Sequence, residues 1–97
     1  MGSQLLPADG RVPEEVRAEL EAKGLELHSW SNGPDYEYGW HDHPYHKTLI
    51  CLTGSIVFHT DDGDVSLSAG DVLEIEPSTR HAATVGPEGV HCAEAAT

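Results

Sequence analysis

The sequence predicts an all-β domain, an antiparallel sandwich or barrel with one short N-terminal α-helix. Its 97 residues suit a single domain. About eight short runs of alternating or β-branched residues follow one another at intervals of roughly 8–12 residues. Clusters of glycine, aspartate and proline separate these runs, which is typical of antiparallel strands joined by tight turns. We therefore interpret the whole chain, residues 1–97, as one domain.

The helix is expected at about 13–23, in the segment "PEEVRAELEAK". Pro13 suits the first helical position, and the two glutamates after it lie where the helix dipole favours negative charge. Val16 and Leu20 are four residues apart, so their side chains face the same side of the helix. Gly24 then ends the helix. We expect the apolar side of this helix to cover a sheet face or one end of a barrel.

The strand pattern runs over residues 25–96 and is interrupted by turn-forming segments. These segments are "NGPD" (32–35), "DDGD" (61–64) and "GPEG" (86–89). Such clusters connect antiparallel neighbours, so each is predicted to be a turn between two strands. The first 12 or so residues show no such pattern, and we expect them to be loosely ordered.

Composition excludes several classes of partner. The formal charge is −12 and the chain has only five lysines and arginines, so it should repel nucleic acids and anionic membranes. No segment has the length or composition of a signal peptide or a membrane span. Cys51 and Cys92 are too few for a secreted disulfide scaffold. We therefore expect a cytoplasmic protein with reduced cysteines, although a single disulfide bridge fits the sequence too.

Three of the histidines are candidate metal ligands. His41 and His43 are two positions apart in a predicted strand, so their imidazoles project from the same face. Such a pair alone is equally consistent with a polar surface patch. His81 begins another predicted strand, and an imidazole from a facing strand would complete a three-histidine site. Three protein ligands leave coordination positions open, whereas structural sites usually have four.

The spacing of these residues resembles the two motifs of the cupins. Residues 41–54, "HDHPYHKTLICLTG", share the spacing of the family's first motif, G-x5-H-x-H-x3-E-x6-G, from its first histidine to its last glycine. Gly70 precedes His81 by eleven positions, as in the second motif, G-x5-P-x-G-x2-H-x3-N. The resemblance covers about residues 25–95. The upstream glycine of the first motif and the proline, second glycine and asparagine of the second are displaced or replaced.

The resemblance implies a small double-sheet jelly-roll barrel with a site inside it. The implied ligands are His41, His43 and His81, and the implied cofactor is a divalent first-row metal ion (Zn, Mn, Fe, Ni or Cu). We further expect a small-molecule ligand and a homodimer. The protein is then either a metal-dependent enzyme, such as a dioxygenase, isomerase or hydrolase, or a binding or sensor barrel.

Lys47 departs from the family pattern, which has a glutamate ligand at this position. A lysine at about 4 Å from a divalent ion is unfavourable by several kcal/mol at an effective dielectric constant of about 20. Three arrangements resolve the conflict. Lys47 caps a carboxylate such as Glu37, Glu74 or Glu76; or a bulge rotates His46 inward as a fourth histidine; or the barrel is metal-free and Lys47 and the histidines anchor a small anion or carbonyl compound.

The remaining inward and outward assignments follow from strand alternation. Cys51 shares the face of Lys47, and it is either a thiol near the metal or a small buried apolar side chain. Tyr36, Tyr38 and Trp40 fall on the face opposite the histidine pair. We expect this aromatic row to pack on the outside of the sheet or in a dimer interface.

Overall fold

The structure, a computed structural model that describes residues 2–97, is a seven-stranded antiparallel sheet with one helix. In chain order the elements are β1 (Ser3–Leu6), α1 (Pro13–Ala22), β2 (His28–Asn32), β3 (Glu37–His41), β4 (Lys47–Thr60), β5 (Gly63–Ser68), β6 (Val72–Ile75) and β7 (His81–Ala96). Among residues 2–97, no helix is long and apolar enough to cross a bilayer.

The two long strands, β4 and β7, pair with each other along their whole length and belong to both halves of the fold. In one half the order is β1-β6-β4-β7-β2, and in the other β5 pairs with β4 and β3 pairs with β7. The predicted antiparallel double sheet is confirmed. Its hydrogen-bonded path runs from β1 to β2 without closing, so within residues 2–97 the expected barrel is an open double sheet.

Residues 25–96 form six strands rather than about eight, because the chain bends within β4 and β7 and does not end a strand there; β1 is the seventh strand. Gly54 has a φ of 77°, and the β4–β7 register shifts on either side of it. The segment 86–89, predicted as a turn, lies within β7, and its Gly89 has a φ of 80°. Glycine permits positive φ without a Cβ clash, so each strand continues through the bend. The loop at 61–64 does form the predicted hairpin turn between β4 and β5.

Both halves of the sheet contribute to a single inner core. Its fully buried members include Leu49 and Cys51 before the bend of β4 and Ile56 after it. The remaining members are Phe58, Leu67, Leu73, Ile75, Ala83, Val85, Val90 and Cys92. Because residues from both sides of the bend share one cluster, the sheet is folded over its own inner face.

The helix covers the outer face of the same sheet. It spans Pro13–Ala22, within one residue of the predicted range. Val16 and Leu20 are buried and pack with Ile50 and Leu52 of β4. Ile50 and Leu52 alternate with the inner-face residues Leu49 and Cys51, so this part of β4 is apolar on both faces.

The N-terminal segment is more ordered than the sequence predicts. Ser3–Leu6 pairs with Val72–Ile75 as an edge strand, and the carbonyl oxygen of Gly2 accepts hydrogen bonds from Glu76 N and Thr79 Oγ1. The expectation of a loosely ordered start was therefore wrong. The reason is tertiary: the free edge of β6 supplies the hydrogen-bond partners that this short segment cannot find locally.

Candidate metal centre

The structure brings His41, His43 and His81 together at one end of the space between the two halves of the sheet. His41, the last residue of β3, lies directly opposite His81, the first residue of β7. The ring centroids are 4.8 Å apart for His41 and His43, 4.4 Å for His41 and His81, and 5.3 Å for His43 and His81. One nitrogen from each ring lies within 4.8 Å of the other two. His41 is exposed, His43 half-buried and His81 buried, so the triad reaches from the interior to the mouth of the site.

Backbone carbonyls fix two of the rings in the tautomer that metal binding needs. Nδ1 of His41 lies 2.7 Å from the carbonyl oxygen of Gly39, and Nδ1 of His81 lies 2.8 Å from that of Thr79. A carbonyl oxygen only accepts, so both Nδ1 atoms carry the proton. The lone pair is then on Nε2 in both rings, as in metal sites whose histidines are oriented by a carbonyl behind them.

His43 also presents its Nε2 lone pair toward a cation. Its Nε2 lies 3.5 Å from the Nζ atom of Lys47, and an ammonium group only donates. Its Nδ1 lies 3.2 Å from the hydroxyl of Tyr45, whose ring stacks on the imidazole at 4.9 Å. All three rings can therefore offer a lone pair to a cation, and a metal ion with three protein ligands would keep positions open for a small molecule.

Burial disfavours the protonated form of the inner two imidazoles. Burial lowers the pKa of His43 below its usual value, and the nearby Lys47 ammonium and His41 lower it further. Burial likewise lowers the pKa of His81, against an opposing effect of its hydrogen bond to Thr79. Neutral imidazole is the form that binds metal, so this environment favours the ligand state over the protonated one.

Lys47 faces the interior, on the same face of β4 as Leu49 and Cys51, and its carboxylate partner is none of the three that the sequence suggested. Its Nζ atom lies 3.5 Å from Glu94 Oε2, and the lysine side chain is only 12% exposed. The other oxygen of Glu94 accepts a 2.8 Å hydrogen bond from Trp30 Nε1. Alternation along "VHCAEA" (90–95) places Glu94 on the same face as the core residue Cys92, so the sequence did contain the indication.

His46 is not part of the triad. Its Nε2 lies 2.8 Å from Glu74 Oε1, in a separate depression that Gln4 and Pro77 also line. The structure therefore does not contain the four-histidine arrangement. Glu74, one of the carboxylates considered for Lys47, is the partner of His46 instead.

Cys51 is a core residue rather than a neighbour of the triad. It is fully buried and lies directly opposite Cys92 in the β4–β7 pairing. Both cysteines are free thiols, and burial together with the Cys51 sulfur raises the pKa of Cys92. Neither side chain lines the cavity beside the histidines, so of the two alternatives for Cys51, the structure matches the small buried apolar side chain.

A bulge in β3 changes which aromatic residues face inward. Tyr38 pairs with Ala83 and His41 with His81, which leaves one extra residue on β3 between the two pairs. The extra residue reverses the alternation, so Tyr38 and His41 share the inner face. The prediction of an outer aromatic row was therefore wrong for Tyr38, whereas Tyr36 and Trp40 are 48% and 49% exposed.

The triad and the Lys47–Glu94 pair line a cavity of about 330 Å³. This volume is at the small end of the range of about 300–1,000 Å³ for ligand cavities. The other lining residues are mainly apolar or aromatic: Trp30, Tyr38, Tyr45, Leu49, Ile56, Phe58 and Ala83. A few polar groups at one end and apolar walls elsewhere are typical of a small-molecule site.

Comparisons with known proteins agree with this architecture. The family model for the cupin domain matches residues 30–92, and no curated protein matches significantly. A cupin-2 domain containing protein from Shewanella frigidimarina is similar in structure, with a TM-score of 0.62 and 19% identity. The match covers 70% of this chain and 65% of that protein, so the chain spans slightly less than two thirds of that relative. An uncharacterized protein with a double-stranded β-helix domain from Klebsiella pneumoniae has a TM-score of 0.65 and 26% identity over 73% of this chain and 61% of its own. A DUF861 family protein from Thermotoga maritima matches over 98% of this chain and 99% of its own, with a TM-score of 0.68 and 18% identity.

Proposed function

The chain belongs to the cupin domain family, and from this premise we propose that it binds one divalent first-row metal ion through His41, His43 and His81. The bound ion would face a small molecule in the adjoining cavity. The observation that carries the proposal is the orientation of the rings: backbone carbonyls hold the Nδ1 protons of His41 and His81, so their Nε2 lone pairs are free beside that of His43.

The protein's own residues supply orientation and a partly apolar surrounding. The carbonyls of Gly39 and Thr79 keep two imidazoles in one tautomer, which removes the cost of reorienting them when a ligand binds. The walls formed by Ile56 and Phe58 limit water near the site. A metal bound here would supply Lewis acidity toward a ligand oxygen. An enzyme and a sensor would share this first step of ligand capture.

The test is metal content and affinity in the wild type, in His81→Ala and in the control His59→Ala. His59 contacts Asp64 and Thr84 at 2.8 and 2.9 Å and is not one of the three clustered histidines. We expect one metal ion per chain in the wild type and the control. We expect His81→Ala to lose more than the about 10–100-fold in affinity that is typical of losing a supporting residue. No metal in the wild type, or equal affinity in both variants, contradicts the proposal.

A second candidate function is a metal-free barrel that binds a small ligand through Lys47 and the histidines. The observation that favours it is the Lys47 ammonium at 3.5 Å from His43 Nε2. The ammonium there occupies the side of the imidazole that a metal ion would otherwise bind. The same experiment separates the two functions. Wild-type protein that retains no metal after exposure to zinc, manganese, iron, nickel and copper would support the second.

We also propose that the protein acts as a homodimer in the cytoplasm. The exposed side chains of Tyr36 and Trp40 are suited to a subunit interface, and the two free thiols of Cys51 and Cys92 suit a reducing compartment. Sedimentation velocity of the wild type and of Trp40→Ser tests the dimer. A monomeric wild type at high protein concentration would contradict it.

A further inference from the structure

The Lys47 ammonium is a largely buried cation whose contacts within the chain are long. Its side chain is 12% exposed, and its contacts to His43 Nε2 and Glu94 Oε2 are both 3.5 Å. Hydrogen bonds from nitrogen to oxygen are ordinarily about 2.7–3.2 Å long. An ammonium group carries three donors. Lys47 therefore retains hydrogen-bonding capacity that a ligand in the cavity can satisfy.

Glu94 is held in a position that does not use up this capacity. One of its oxygens accepts a 2.8 Å hydrogen bond from the indole of Trp30 on β2, which fixes the carboxylate toward that strand. The other oxygen stays 3.5 Å from Nζ, farther than in a close ion pair. A mobile carboxylate on a ligand has no such restraint and can approach the ammonium at an ordinary hydrogen-bond distance.

The rest of the cavity selects the body of the ligand. Leu49, Ile56, Phe58 and Ala83 give it an apolar wall, and its volume is about 330 Å³. Such walls favour a compact apolar group and offer few partners to a molecule that is polar throughout. The polar groups are the triad, Lys47 and Glu94, so the ligand needs one charged head and an apolar body.

We propose that the ligand is a small carboxylic acid with an apolar body, whose carboxylate accepts hydrogen bonds from Lys47 beside the triad. The apolar body packs against Ile56 and Phe58. The inference rests on the proposed function in that both place the ligand in this cavity, next to the proposed metal. Both the ammonium and a bound divalent ion attract negative charge, whereas a neutral amide of the same shape gains neither attraction.

The test is calorimetric titration with two acids, butyrate and benzoate, and with their amides, butyramide and benzamide. Each is titrated into metal-free and zinc-loaded protein. We expect the acids to bind at least about tenfold more tightly than the amides, since charge-assisted hydrogen bonds are roughly twice as strong as neutral ones. In the metal-free protein, Lys47→Met should remove this preference, since no other cation then faces the carboxylate. Glu94→Gln should strengthen acid binding, because it frees the ammonium from its partner in the chain.

Lys23→Met is the matched control, since Lys23 is the only other lysine of the chain and lies at the exposed end of α1. It should leave the acid affinity unchanged. In the metal-free protein, equal affinities for acids and amides overturn the inference. An acid affinity that Lys47→Met does not lower, or that Glu94→Gln lowers, overturns it too. The titrations are run with and without zinc, so failure of zinc to bind contradicts only the proposed metal site. The comparison of Lys47→Met with the wild type in metal-free protein still decides this inference.

Discussion

Replacing Lys47 with methionine is expected to raise the zinc affinity of the histidine triad. The Nζ atom lies 3.5 Å from His43 Nε2, and zinc bound to that nitrogen is about 2 Å from it. The two cations are then at most about 5.5 Å apart, whatever the direction of approach. Coulomb's law puts their repulsion at about 1.5 kcal/mol in water-like surroundings and about 6 kcal/mol at an effective dielectric constant of about 20.

The Glu94 carboxylate, 3.5 Å from the ammonium, offsets part of this repulsion in the wild type. It is present in both proteins, so the difference in zinc affinity reports the repulsion by the ammonium. The smaller figure, for the longest distance in water-like surroundings, is the minimum effect. A gain of about 1.4 kcal/mol is tenfold in affinity, and we expect at least about that much. Competition with a chromophoric chelator at fixed pH and ionic strength measures it, with Lys23→Met as the control. Zinc affinity that is unchanged or weaker in Lys47→Met would refute the reasoning that the ammonium opposes the metal.

Three further predictions concern stability. The pKa of His81 is lowered in the folded state from its usual 6.5, so the unfolded chain binds protons more readily below that pH. Thermal melts of metal-free protein should therefore show stability falling as the pH drops below about 6.5. The fall should be smaller in His81→Gln. Gly54→Ala would press a Cβ against the carbonyl oxygen of Gly89 at a φ of 77°. Urea unfolding should show that the free energy of unfolding falls by about 2–4 kcal/mol. Gly33→Ala, where a Cβ meets no atom within 4 Å, should change it little. Leu20→Ala, at a site 7% exposed, should lower the free energy of unfolding by about 2–5 kcal/mol. An equal loss in Leu5→Ala, at a site 39% exposed, would contradict the conclusion that Leu20 is buried by packing of the helix on the sheet.

Strand alternation accounts for much of what the sequence could predict about the site. The period of two places Lys47, Leu49 and Cys51 on one face of β4, and the structure puts Leu49 and Cys51 in the inner core and Lys47 in the cavity. The same rule applied to β7 would have identified Glu94, since Cys92 lies two positions before it on the same face. These positions were predictable because both strands run regularly between their bends.

The β3 bulge was not predictable, because it depends on the partner strand. Nothing in "YEYGWH" (36–41) specifies an extra residue. The bulge exists because both Tyr38–Ala83 and His41–His81 are aligned across the sheet. A one-residue shift reverses every later side chain, so the inward position of Tyr38 could not be read from alternation. Gly54 and the segment 86–89 show the same limit, since glycine with positive φ serves a turn and a bend equally well.

Lys47 stands where the resemblance to the cupins places a glutamate. This difference bears mainly on the charge that a small molecule meets in the cavity. In the family pattern, three neutral imidazoles, one glutamate and a divalent ion carry a net charge of +1. Here a bound divalent ion, Lys47 and Glu94 would together carry +2, because the Glu94 carboxylate balances the lysine. Burial that lowers the pKa of His43 and His81 adds no charge of its own. With a metal bound as proposed, the cavity would be one charge unit more positive than the family pattern implies, within a chain whose formal charge is −12, and this excess positive charge would favour a ligand with an anionic head group.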